Sequence, residues 1–121
     1  MRKVLSLSFA LGFLALAAVP VSGQDVTGTW VLEVELGANP GGVATFVLVQ
    51  EGTVITGTYS GGVGDGLEVT GTVEDGRITL VFLSDLAGEV TYEGTIEGTT
   101  MKGECFYGDL GSGTFEGQKT G

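Results

Sequence analysis

Three tyrosines, Tyr59, Tyr92 and Tyr107, and one cysteine, Cys105, are the residues here whose types suggest chemistry inside an otherwise apolar chain. A phenol joins a ring that lines an apolar surface to a hydroxyl that donates or accepts a hydrogen bond, so tyrosines at the open end of a cavity suit an amphipathic ligand. The same side chains also suit a rim whose ring tips meet water. The sequence contains no histidine, so nothing is present to ionise the thiol, and Cys105 reads as a small buried hydrophobe. There is no nucleophile elbow and no inward-facing pair of carboxylates, so no catalytic residue is assigned and the expected class is not an enzyme. A barrel cyclase that acts by shaping an apolar substrate stands as an analogy only. Gly64-Asp65-Gly66 and Gly108-Asp109 are turn chemistry without the run of oxygen ligands that calcium needs, so neither a metal nor a cofactor is expected.

Met1, Arg2 and Lys3 precede an apolar run from Val4 to Val19 that is short for a membrane span of ~20 residues. With small residues at Val21-Ser22-Gly23, residues 1–23 read as a secretory signal peptide cleaved before Gln24. The remaining residues, 24–121, form one small domain, secreted or periplasmic. They keep all 15 acids but only Arg77, Lys102 and Lys119 as bases, a formal charge of −12. That balance argues against nucleic acid, which needs a positive face, and no membrane association is expected after cleavage. A lone cysteine cannot close a disulfide within the chain, so the core must supply the stability.

The elements that must position these side chains are strands. Gly57-Thr58-Tyr59 is one copy of a figure that recurs as Gly28-Thr29-Trp30, Gly71-Thr72-Val73, Gly94-Thr95-Ile96, Gly103-Glu104-Cys105 and Gly113-Thr114-Phe115. In each, alternation puts the glycine and the bulky residue on one face and the polar residue on the other. Eight alternating runs follow one another, over 26–36, 43–50, 53–60, 67–74, 77–83, 88–96, 99–107 and 112–118, and no helical period is present. Glu51-Gly52, Asp75-Gly76 and Glu97-Gly98 read as two-residue hairpin turns at one end. Longer glycine-rich loops, 37–42, 61–66, 84–87 and 108–111, are expected to ring a mouth at the other. The expected fold is all-β: a single eight-stranded antiparallel up-and-down barrel, because an open sheet would leave one apolar face wet and two edges unpaired.

Register from the turns places Trp30, Val34, Phe46, Tyr59, Phe82, Tyr92, Cys105, Tyr107 and Phe115 toward the lumen, and these are the candidate ligand-lining residues. Trp30 falls toward the floor, while Tyr59 and Tyr107 end their strands near the mouth. From Asp75-Gly76, Glu74 pairs with Arg77 outside and Val73 with Ile78 inside. The acids Glu33, Glu35, Glu68, Glu89, Glu93, Glu104 and Glu116 face outward. So do Val31, Val47, Val49 and Val54 on three neighbouring strands, an apolar patch suited to a homo-oligomer contact.

Gly28-Thr29-Trp30 on the first strand resembles the Gly-x-Trp signature of the calycin superfamily, which includes lipocalins, fatty-acid-binding proteins and avidins. Ile55-Thr56-Gly57-Thr58-Tyr59 is similar to the avidin segment that leads into Gly-Thr-Tyr, and the likeness implies a barrel with a lumen ligand and wall-to-wall packing of subunits. Of the residues that contact biotin in avidins, only Tyr59 has a counterpart. The later tryptophans of that pocket are absent, as are the lipocalin carboxy-terminal helix and the helical lid of the fatty-acid-binding proteins. Two functions therefore stand: a secreted barrel holding a small apolar or amphipathic ligand in its lumen, or an interaction barrel with a filled core, oligomerising or inhibiting a secreted enzyme. A void of ~300 Å³ or more points to the first and a filled interior to the second.

Overall fold

A computed structural model describes residues 25–37 and 39–121; the expected signal peptide lies outside them. Eight strands follow in order: β1 Gly28–Leu36, β2 Asn39–Glu51, β3 Val54–Gly61, β4 Gly64–Glu74, β5 Arg77–Ser84, β6 Gly88–Glu97, β7 Thr100–Tyr107 and β8 Ser112–Lys119. Each pairs with its sequence neighbour, and β1 pairs antiparallel with β8 to close the barrel. The eight expected runs are all present. Their alternation is apolar inward and charged outward, the reverse of a membrane-spanning barrel.

The Asp75-Gly76 hairpin has the expected register, with Glu74 opposite Arg77 and Val73 opposite Ile78. Both turn residues have positive φ, 54° and 78°, as a type I′ turn requires. The other two turns lie one residue later than expected. Glu51 pairs with Val54 and Glu97 with Thr100, so Gly52-Thr53 and Gly98-Thr99 are the turns, and Thr53 and Thr99 are exposed turn residues rather than the first residues of their strands. Glutamate tolerates positive φ poorly, whereas aspartate's short side chain allows it. Moving the turn on by one residue puts glycine first and leaves a single positive φ, as in type II′. The facing pairs shift by two residues, which preserves the inward and outward faces.

With the turns placed, the three hairpins prove to be one repeated unit. Their turn-flanking pairs begin at an interval of 23 residues (51, 74, 97), and every pair along each hairpin keeps that offset. The seams between hairpins share it too: Gly57 faces Val69, Leu80 faces Tyr92 and Gly103 faces Phe115. The short glycine figure is visible in the sequence without this longer period, which only Glu51, Glu74 and Glu97 mark at every copy of the turn.

The mouth end differs from expectation. The expected loops 37–42 and 61–66 are tight turns instead: Gly37 and Gly62 lie in the turns, and Gly41, Gly42, Gly61, Gly64 and Gly66 lie within strands. Leu36 pairs with Asn39 and Gly61 with Gly64. One extra residue is absorbed as a bulge on β2 between Pro40 and Val43, and another on β4 between Gly64 and Leu67. Glycine was read as a loop signal, but it also suits a bulge.

The interior is filled. Trp30, Leu32, Phe46, Leu48, Ile55, Tyr59, Leu80, Tyr92 and Met101 are fully buried. At the floor the chain before β1 crosses the barrel end and buries Val26. The Trp30 Nε1 donates to the Val26 carbonyl at 2.9 Å, and the Val26 amide donates to Gln50 Oε1 at 2.9 Å.

Candidate functional site

The tyrosines meet toward the mouth end because alternation brings three strand positions inward at two adjacent levels. Tyr59 comes from β3, Tyr92 from the middle of β6, and Tyr107 from the last residue of β7. The Tyr59 ring stacks on Phe82 with centroids 4.2 Å apart, and Phe46 meets Tyr59 and Tyr92 edge-on at 5.4 and 5.0 Å. Phe115 backs Tyr92 at 4.8 Å. These rings fix the phenols in place. The Tyr92 and Tyr107 hydroxyls hydrogen-bond each other, and Tyr59 shares the cavity wall with Tyr107.

Burial raises both Tyr92 and Tyr107 far above the ordinary phenol range, since an anion there would lose its hydration. Cys105 lies beside them and is fully buried. Burial pushes its thiol up to about 11, with a backbone hydrogen bond from Gly113 pulling the other way. At neutral pH the group is therefore a set of uncharged donors and acceptors, with no nucleophile among them.

Above the hydroxyls lies a cavity of about 270 Å³, lined by Val34, Leu36, Ala44, Val63, Tyr59 and Tyr107 with Gly42, Val43 and Gly62 at its edge. Val63, at the β3–β4 turn, folds over this end and is held by Ser84, whose Oγ donates to the Val63 carbonyl at 2.8 Å. The same Oγ accepts the amides of Leu86 and Ala87 at 3.1 and 3.2 Å, tying the β5–β6 loop to the lid.

Of the sequence candidates, Val34, Tyr59 and Tyr107 line this cavity. Phe46, Phe82, Tyr92, Cys105 and Phe115 form the packed layer beneath it, and Trp30 sits at the opposite end. The structure thus separates one group of candidates into a wall and a support. Sequence reasoning missed Val63 and Ser84. A single bulky residue between Gly62 and Gly64 was the available signal for the first. Nothing local marked Ser84, because its role depends on two loops meeting.

Among the described residues no three His, Cys, Asp or Glu side chains stand close enough to hold a metal ion. The fold and site define a class: a closed antiparallel meander barrel with a filled lumen and a small mouth-end cavity over buried phenols. No protein-family model, curated protein or solved structure matches this chain.

Proposed function

We propose that this is an exported binding protein that takes a small apolar or amphipathic molecule into the mouth-end cavity. The observation that carries the reading is the cavity of about 270 Å³ with an apolar wall that ends on Tyr59 and Tyr107. Ligand sites combine those features, a largely apolar surface and a few convergent polar atoms. The lumen itself is filled and the mouth-end cavity falls short of the ~300 Å³ expected of a lumen site, so the reading is no longer a lumen ligand but a smaller one held at the mouth. Export rests on the basic, apolar and small-residue order of residues 1–23. Resemblance to the calycin barrels through Gly28-Thr29-Trp30 supports the same reading.

The test is a panel of small aromatic and aliphatic compounds, followed by calorimetry on the mature chain. Binding should be lost when Ala44→Phe fills the cavity, while the melting temperature stays within a few degrees. Absence of binding across the panel, or binding that Ala44→Phe leaves unchanged, would sink the reading.

A second reading, self-association, rests on a separate observation. Val43, Val47, Val49 and Val54 are 46 to 55% exposed on the outer wall of β2 and β3. Val31, expected to join them, is half-buried. The outward positions from Val43 to Val49 and from Val54 to Ser60 are all Val, Thr or Ser, and the one acid of these two strands, Glu51, stands at their turn end, while most of the other strands carry charged residues along the wall. On so acidic a molecule, a wall cleared of acids suits a second copy, whose own acids would otherwise be repelled.

A further inference from the structure

All three tyrosines of the chain converge on the mouth-end cavity or the layer below it. The hairpin repeat provides an internal control for their identity. Tyr59 in the first hairpin corresponds to Phe82 in the second and Cys105 in the third, and Tyr92 in the third corresponds to Phe46 in the first and Val69 in the second. Phe115 on β8 occupies the position after Tyr92 in the same series. These phenylalanines are at least as well buried as the barrel requires, none above 2% exposed. Packing is therefore satisfied by a bare ring. Tyr107 departs further, standing where the other hairpins have Gly61 and Ser84. Each hydroxyl is an addition to the core pattern, and burying one is unfavourable unless it is bonded.

Tyr92 and Tyr107 bond each other, so their two phenolic protons serve one bond and one proton is left for a further acceptor, while the Tyr59 hydroxyl brings its own proton to the same cavity wall. A phenol oxygen can accept from a donor as well. Tyr59 and Tyr107 are the tyrosines that line the cavity, and no Asp, Glu, Lys or Arg lines it with them. An ion entering there would lose its hydration with no opposite charge to replace it. An apolar cavity of about 150 Å³ accommodates benzene, so about 270 Å³ accommodates one ring with a short substituent.

We infer that the occupant is an uncharged molecule of single-ring size bearing one oxygen, a ketone or an alcohol, whose oxygen hydrogen-bonds the phenol hydroxyls of Tyr59 and Tyr107 on the cavity wall. This rests on the cavity being a ligand site. Four probes of matched size separate the possibilities: acetophenone, cumene, benzoate and α-methylbenzylammonium, titrated by calorimetry at neutral pH. Acetophenone should bind about fivefold more tightly than cumene, the worth of one net hydrogen bond. It should exceed both ions by more than about tenfold. Tyr59→Phe and Tyr107→Phe should each reduce the preference for acetophenone over cumene, and the two together should abolish it, without weakening cumene. Cumene binding in each variant reports that the cavity is intact. Equal binding of acetophenone and either ion, equal binding of acetophenone and cumene, or a preference that survives both substitutions would overturn the inference while leaving the cavity as a ligand site. No binding by any probe would overturn both.

Discussion

A methyl group added at Gly103 would overlap the Glu93 carbonyl oxygen on β6, and one at Gly113 would overlap that of Glu35 on β1. The strands cross so closely at these points that only glycine fits, and that contact curves the wall. Gly103→Ala is expected to destabilise by about 2 to 3 kcal/mol, the usual range for overpacking. Gly62→Ala, where the space is open, should change stability by no more than about 1 kcal/mol. Urea unfolding of the two variants checks this, and equal effects would contradict it. The buried thiol and phenols predict an alkaline limit. Their folded pKa values lie above the unfolded ones, so as pH rises the unfolded chain releases its protons first and stability falls. The Cys105 contribution is intact below about pH 9 and lost between about 9 and 11. Tyr92 and Tyr107 add to the loss from about pH 10 upward. Urea midpoints across that range should decline from about pH 9, and Cys105→Ala should delay the onset by about one pH unit.

The hairpin is the unit in which local and global preferences agree. Its two faces follow from alternation, its turn from one residue able to hold positive φ, and its partner strand from chain order. All three turns reach the same register by different chemistry, type I′ at Asp75-Gly76 and type II′ at Gly52-Thr53 and Gly98-Thr99. Gly52→Ala and Gly98→Ala should each destabilise by roughly 1 to 2 kcal/mol, the cost of a left-handed conformation for a residue with a Cβ. Cross-strand NOEs between Glu51 and Val54 should persist in Gly52→Ala. Their replacement by Gln50 to Thr53 contacts would show that the turn had moved back and that register is less strongly held than the repeat implies.

For the whole molecule, the distribution of charge matters more than its amount. The acids ring most of the outer wall, and Glu33 stands directly opposite Glu116, with Lys102 on the far side of Glu116. The β2–β3 wall is free of charge from Val43 to Val49 and from Val54 to Ser60, with Glu51 at its turn end the one acid on it. Sedimentation at micromolar concentration should reveal a dimer, and Val47→Glu, which restores an acid to that wall, should yield a monomer with unchanged circular dichroism. A native protein that is monomeric throughout would remove the case for self-association.

Alternation and chain order alone determined the class, the strand number, the closure and the interior list, since period-two burial and short connections leave an antiparallel barrel as the arrangement that wets no apolar face. Trp30, Phe46, Tyr59, Phe82 and Tyr92 were all legible as inward for that reason. Tertiary structure decided what parity cannot carry. A shift of two residues in facing pairs changes neighbours without changing faces, so the turns at Gly52-Thr53 and Gly98-Thr99 were misplaced while the core list survived. Whether inward tyrosines line a space or fill one depends on the level each strand reaches and on what folds over the end. Here Val63 and Ser84, from turns separated by a whole hairpin, close the mouth over Tyr59 and Tyr107. No pattern along the chain encodes that meeting, because it exists only once the barrel has closed.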